Sequence, residues 1–223
     1  MSTFRSFAVA CALAVSMISA QAQTPAAAPT SASDISVTAE RKAVLVTGAS
    51  TGIGRKITER LAADGHFVYA GARKPQDLEA LGRIPDVQAI KLDVTSAEDI
   101  AAAVATITKA GSGLSGVVNN AGVGVGGVLT ETTEDDVDYV MNVNVYGPWR
   151  ITKAFAPLGV SVSVVEPGNY ASEIMRTAIA RAGGDVKAGD RSQFKSPDEV
   201  ADSVALALFE PTPKRRYMTV PNA

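Results

Sequence analysis

The chain has 223 residues, 46% of them hydrophobic, and a formal net charge of −2, which is enough for one domain with a sizeable core. No basic excess points to nucleic acid, and no long run of like charge points to a solvated tail. A single cysteine, Cys11, and a single histidine, His66, exclude an internal disulfide, a cysteine-based metal site and a histidine cluster.

The first 22 residues read as a signal peptide. Arg5 supplies the positive start, and "FAVACALAVSMISA" is apolar but too short for an ordinary membrane-spanning helix. "AQA" at Ala20 to Ala22 fits a small-residue cleavage site. Export to the periplasm or the exterior is therefore expected, with a cytoplasmic location if the segment is not processed. After cleavage neither a membrane span nor a cysteine would remain. Residues 23–40, "QTPAAAPTSASDISVTAE", carry no usable apolar period and read as a flexible linker. The folded domain is expected over residues 41–223.

"KAVLVTGAS" is a short apolar run with the pattern of a buried parallel strand. "GRKITERLAADG" then places Ile57, Leu61 and Ala62 on one helix face, with Gly65 as the stop. His66 introduces the second strand, "HFVYAGAR", and takes an ordinary role there. A short helix "DLEALGR" and a third strand "VQAIKLDV" follow. The next helix, "SAEDIAAAVATITKAG", starts on a capping box, Ser96 with Asp99. "LSGVVNNAG" is a fourth strand. The alternation predicts a doubly wound, Rossmann-like parallel sheet.

Beyond it, Thr133 can cap a helix whose first turn holds Glu134, Asp135 and Asp136. Pro148 suits a new helix start or a kink. "VSVSVVEPG" is a further strand. "SPDEVADSVALALFE" predicts a helix capped by Ser196, with Pro197 as its first residue and Glu199 closing a box. "RRYMTVPN" is the last strand.

Between the first strand and its helix lies "TGASTGIG". Gly48, Gly52 and Gly54 would let the backbone approach a pyrophosphate, and the helix offers its free N–H groups to the anion. The end of the second strand discriminates between dinucleotides: a carboxylate there holds a ribose 2′-hydroxyl, whereas a basic group accommodates a 2′-phosphate. "AGARK" has no carboxylate but has Arg73 and Lys74, and Arg55 follows the glycine loop. NADP(H) is therefore favoured over NAD(H).

Together these segments resemble the short-chain dehydrogenase/reductase family from Arg41 to about Asn222. "TGASTGIG" matches its cofactor loop, so Gly48, Ser50, Thr51, Gly52, Ile53 and Gly54 are implied to bind cofactor. "LDVT" matches its adenine-side segment, with Asp93 and Val94. "NNAG" matches its fourth-strand motif and implies Asn120, Ala121 and Gly122. "NVYG" matches the segment of the catalytic Asn, here Asn144. "EPG" followed by Ser172 matches the turn near the nicotinamide and implies Pro167, Gly168 and Ser172. The chemistry implied is hydride transfer between NADP(H) and an alcohol or carbonyl, with a Ser to orient the carbonyl, a Tyr to move the proton and a Lys four residues after that Tyr.

That Ser, Tyr and Lys have no counterpart here. Leu158 runs at once into "GVSVSVV", and the space from Asn144 to Pro167 holds one helix and one strand. A further strand and helix would need on the order of 30 residues. None of Tyr69, Tyr139, Tyr146, Tyr170 or Tyr217 has a Lys four residues on. Tyr170, beside the Pro-Gly turn, is the nearest substitute. Asn144 then has no relay to support, and a structural role at the helix kink and fourth strand is expected. The shortened chain can slide its next strand in beside the fourth, or leave that strand in place with unpaired backbone on both edges. Sheet continuity favours the slide. The usual oligomer of the family is placed in doubt.

Three functions stay open: an oxidoreductase by family, impaired or inactive as the sequence stands; a non-catalytic dinucleotide-binding protein; or a decayed or truncated enzyme. The segment around "PGNYASEI" is moderately apolar, so a small lipophilic carbonyl or alcohol is the expected substrate class.

Overall fold

In the computed structural model, residues 43–126, 129–158, 163–183 and 194–221 are described. The signal-peptide and linker readings fall outside these residues, as do Arg41, Lys42 and the junction residues 159–162.

Four strands form one parallel sheet in the order β3-β2-β1-β4: β1 (Ala43–Thr47), β2 (Phe67–Ala72), β3 (Val87–Lys91) and β4 (Gly116–Val118). Alternate side chains of β1 supply two cores, because a strand points successive residues to opposite faces. Ala43 and Leu45 face one layer with Tyr69, Ile100, Ile107, Ile151 and Phe155. Val44 and Val46 face the other with Ile57, Leu61, Leu81, Ala201 and Val204. The sheet is thus covered on both sides, which is why its central strand reads as an unbroken apolar run.

α1 (Gly52–Ala63) and α2 (Pro75–Gly82) return the chain from β1 to β2 and from β2 to β3. α3 (Ala97–Ala110) starts where Ser96 accepts from the Asp99 N–H. Only that half of the expected box forms, because the Asp99 carboxylate takes Lys91 Nζ at 2.9 Å and the Asp93 N–H at 3.0 Å instead. α4 (Glu134–Met141) has the complete box, with Thr133 and Asp136 each accepting from the other's backbone N–H. A wide π-type turn, Asn142–Tyr146, joins it to α5 (Gly147–Phe155), where Pro148 lies in the first turn. His66 precedes β2 and stacks on Phe209, ring centroids 4.0 Å apart.

The second half departs from the expectation. β5 (Val164–Pro167) does not slide in beside β4. It pairs in parallel with β6 (Arg216–Thr219) as a separate two-stranded sheet, and among the described residues β4 is an edge strand. The reason lies in α7 (Asp198–Phe209). Its Leu208 packs on Gly116 of β4, its Ser203 hydroxyl accepts from Thr219 of β6 at 2.6 Å, and its Asp198 lies 3.6 Å from Lys56 of α1. A strand pair hung from a helix anchored in this way cannot shift without breaking those contacts.

α7 also begins one residue later than its sequence suggests. Pro197 flanks the helix, and the Glu199 carboxylate accepts from Tyr170 rather than closing a box. Ser196 hydrogen-bonds the Asp198 carboxylate, which that bond holds below the usual carboxylate range. α6 (Ile174–Arg181) follows β5.

Candidate dinucleotide site

The glycine loop is fixed by hydrogen bonds to the segment after β4. Thr47 Oγ1 donates to Val118 O at 3.3 Å and accepts the N–H groups of Asn120 and Ala121 at 3.0 Å each. Asn120 Nδ2 donates to Thr47 O and Gly48 O, both at 3.0 Å. The loop turns through left-handed backbone twice, with Gly48 at φ +64° and Gly52 at φ +55°. Gly54 is required by packing: a Cβ there would meet Asn120 Nδ2 at 2.2 Å and Gly48 O at 2.3 Å.

Thr51 is the residue flanking α1, and its side chain makes no capping bond. The first turn of α1 also has no acidic residue, whereas α3, α4 and α7 each carry at least one. The positive end of the α1 dipole is therefore not offset by carboxylates of its own first turn, and it suits an anion. Ser50 and Ile53 are half-buried beside it.

On the next two strand ends, Arg73 points a guanidinium nitrogen to within 3.8 Å of Asp93 Oδ2. The other oxygen of Asp93 accepts from the Thr95 N–H and hydroxyl at 2.9 and 2.7 Å. Val94 is buried. The buried Asp99 close by is held below the usual carboxylate range, chiefly by the Lys91 hydrogen bond.

Asn144 sits in the wide turn before α5. Its Oδ1 accepts the Val123 N–H at 2.9 Å and its Nδ2 donates to Val123 O at 2.8 Å. The side chain thus acts as a substitute strand partner for the loop beyond β4, rather than bonding to β4 itself. A Cβ on neighbouring Gly122 would lie 3.7 Å from Asn144 Oδ1.

Pro167 ends β5 opposite Thr219, and the Gly168 N–H donates to Thr219 O at 2.7 Å. Ser172 comes back onto the glycine loop: a Cβ on Gly52 would lie 3.4 Å from Ser172 Cα. The structure thus gathers the glycine loop, Asn120, Ala121 and Ser172 in one place, while Arg73 and Asp93 form a separate pair and Asn144 a third cluster with Gly122.

The tyrosines are committed elsewhere. Tyr170 is buried, donates to Glu199 Oε2 at 2.5 Å, and is pushed up to about 12 by burial, with the Glu199 carboxylate adding to the effect. A phenol in that state is a poor proton donor or acceptor at neutral pH. Tyr69 lies in the core and is raised by burial. Tyr217 is also raised, by burial first, and donates to Glu210 at 3.0 Å. Tyr139 and Tyr146 lie under the guanidinium groups of Arg181 and Arg150.

Sequence reasoning misses Thr47 and the Tyr170–Glu199 pair. A threonine directly before the loop's first glycine is a usable signal for the former. The latter joins residues 29 apart in the chain and leaves no local mark.

Among the described residues no group of three or more His, Cys, Asp or Glu side chains could hold a metal, and no helix is long and apolar enough to cross a membrane.

Comparison with known proteins agrees with the fold. The short chain dehydrogenase family model matches residues 42–161, more than half of the chain. A 3-ketodihydrosphingosine reductase from Bacteroides thetaiotaomicron is 36% identical over 114 residues, which are 51% of this chain and 40% of that protein. The chain thus matches about half or less of the length of such curated relatives. The solved short-chain dehydrogenase from Streptomyces avermitilis superposes with a TM-score of 0.65 at 26% identity, over 82% of this chain and 89% of that one. A closed form of serine dehydrogenase complexed with NADP+ shares the fold, with a TM-score of 0.70 at 22% identity over 79% and 94% of the two chains. The protein belongs to the short chain dehydrogenase family.

Proposed function

We propose that this chain binds NADP(H) at the strand ends of its four-stranded sheet and, as it stands, does not transfer hydride. The observation that carries the reading is the glycine loop locked to Asn120 and Ala121 through Thr47, with an α1 first turn free of acidic residues. Gly48, Ser50, Thr51, Ile53 and the α1 N–H groups would hold the pyrophosphate. Arg73 would meet a 2′-phosphate, since β2 ends without a carboxylate. Asp93 and Val94 would line the adenine side. A bound nicotinamide supplies hydride to a carbonyl carbon or accepts it from an alcohol. The proton for that exchange needs a group near neutral pKa, and the tyrosine nearest the Pro-Gly turn, Tyr170, is raised to about 12 and engaged with Glu199. Asn144 is likewise engaged, by the Val123 backbone, and serves the fold.

The relatives' names, reductase and dehydrogenase, support a small carbonyl or alcohol as the ancestral substrate class. The apolar run from Phe7 to Ala20 supports export.

The test is a titration of NADPH into the full chain, read by energy transfer from Trp149, an exposed residue on α5. Saturable binding is expected, with Arg73→Asp weakening NADPH about tenfold or more and leaving NADH nearly unchanged. Carbonyl compounds should show no turnover above background. Turnover sensitive to Asn144→Ala would replace this reading with that of a working oxidoreductase.

A further inference from the structure

Among the described residues, the two-stranded sheet is covered on one face only. Successive side chains of β6 alternate between faces. Tyr217 and Thr219 turn to α7, where they reach Glu210 at 3.0 Å and Ser203 at 2.6 Å. Arg216, Met218 and Val220 belong to the other face. There Arg216 meets Glu166 of β5 at 2.6 Å, while Met218 is 72% exposed and Val220 55%. Parallel sheets are almost always covered on both faces. α7 lies against both sheets, with Leu208 on Gly116 of β4 and Ser203 on Thr219 of β6. The bare face is therefore on the side where α5 covers the four-stranded sheet. Beside it α5 makes a step one helix, or about 10 Å, high.

A second apolar surface lies on the same side. Val137, Met141, Val145 and Trp149 recur every fourth residue along α4, the wide turn and α5, and each is at least 40% exposed. A four-residue step drifts around a regular α-helix, and the wide turn, with more residues per turn, offsets that drift. The four side chains thus form one stripe. On α5 it lies away from Ile151 and Phe155, which face the sheet. α6 takes another side of α4, where Arg181 covers the Tyr139 ring and lies 3.7 Å from Asp136. The two surfaces carry opposite charge at their ends. Glu134, Asp135 and Asp138 are exposed at the α4 end of the stripe, and Lys214 and Arg215 are exposed just before β6.

We propose that a second copy of this chain covers the bare face, the stripe of each copy lying on the β5–β6 sheet of the other. Each α5 is then packed between its own four-stranded sheet and its partner's strand pair, and the two α5 helices share one layer. A two-fold axis makes the contact reciprocal, so both surfaces of both copies are buried at once. The acidic end of each stripe meets the basic start of the partner's β6. Packing stripe against stripe would instead leave Met218 and Val220 in water.

Sedimentation velocity on the full chain tests this, with the emission of Trp149, the single tryptophan, as a second readout. Wild type is expected to dimerise in roughly the micromolar range, with Trp149 emission moving to the blue as the concentration rises. Met218→Asp and Val145→Asp should each weaken the dimer about tenfold or more. Asp138→Lys and Arg215→Glu should each weaken it about threefold, and the double variant should dimerise more tightly than either. All four positions are exposed, so the variants should keep the wild-type melt. Should Met218→Asp lose it, the charge exchange decides alone. A wild type that stays monomeric at about 100 μM overturns the proposal. So does a dimer that Val145→Asp breaks and Met218→Asp leaves intact, because that contact would be helix on helix. A double charge variant no tighter than the single ones overturns it as well.

Discussion

The four-stranded and two-stranded sheets of this chain use the same kind of material and differ in what closes them. β1 is flanked by β2 and β4, covered by α1 on one face and by α3 and α5 on the other, and its loop is stitched to the loop after β4. Among the described residues, β5 and β6 pair only with each other and lean on α7. Parallel pairing is set by what covers a strand's faces and by where its connections begin, not by the attraction of the nearest open edge. β5 therefore stays with the helix that holds it, although β4 presents an edge. The four-stranded half is closed by its own strands and helices, whereas β5 and β6 are held through α7, through Ser172 on Gly52 and through α6, which faces Gly124 and pairs Arg181 with Asp136.

That contrast can be tested at three points, from the largest expected effect down. Gly54→Ala forces a methyl group onto the Gly48 carbonyl and the Asn120 amide. It should destabilise the four-stranded half by about 3 kcal/mol, the upper end for overpacking, as read from urea unfolding. A loss below about 1 kcal/mol would mean that the loop is softer than its hydrogen bonds imply.

Asp99→Asn removes the acceptor shared by Lys91 and the Asp93 N–H. A loss of roughly 1–2 kcal/mol at neutral pH is expected. The folded Asp99 carboxyl titrates below its unfolded value, so its stabilisation is present above that unfolded value and fades as the pH falls through the folded one. Lys91 is raised by the same bond, so its share is present below its unfolded value and fades as the pH rises through the folded one. The two shifts describe one interaction and are not summed. In acid the wild type and Asp99→Asn should converge, and a constant difference down to about pH 2 would refute the pairing.

Tyr217→Phe removes a hydroxyl that bridges two backbone segments. It donates to Glu210 at the end of α7 and accepts the Lys214 N–H at 2.8 Å, in the turn before β6. Its loss should cost about 1 kcal/mol. The signature matters more than the size: hydrogen exchange should quicken in β5 and β6 and stay unchanged in β1 and β2. Equal changes in both sheets would show one cooperative unit and erase the contrast.

The legible features are the local ones. The apolar run of β1, the helical face of Ile57, Leu61 and Ala62, the Thr133 cap and the spacing of "TGASTGIG" all act within a few residues, and each is found where the sequence places it. The start of α7 falls one residue beyond its sequence signal because Glu199, the expected box partner of Ser196, is drawn to Tyr170 across the fold. Asn144 has the structural part that its sequence context suggests, but its partner is the Val123 backbone rather than β4, since only the wide turn before α5 aims it there.

From the sequence alone come the family, the doubly wound sheet, the glycine loop and the want of a Tyr-x-x-x-Lys, because these are matters of period, spacing and residue type. The tertiary structure alone decides that β5 pairs with β6, that Ser172 lies against Gly52, and that Tyr170 is locked to Glu199. Those outcomes depend on which distant surfaces a helix covers, and no short stretch of sequence encodes a contact whose two sides are set by different parts of the chain.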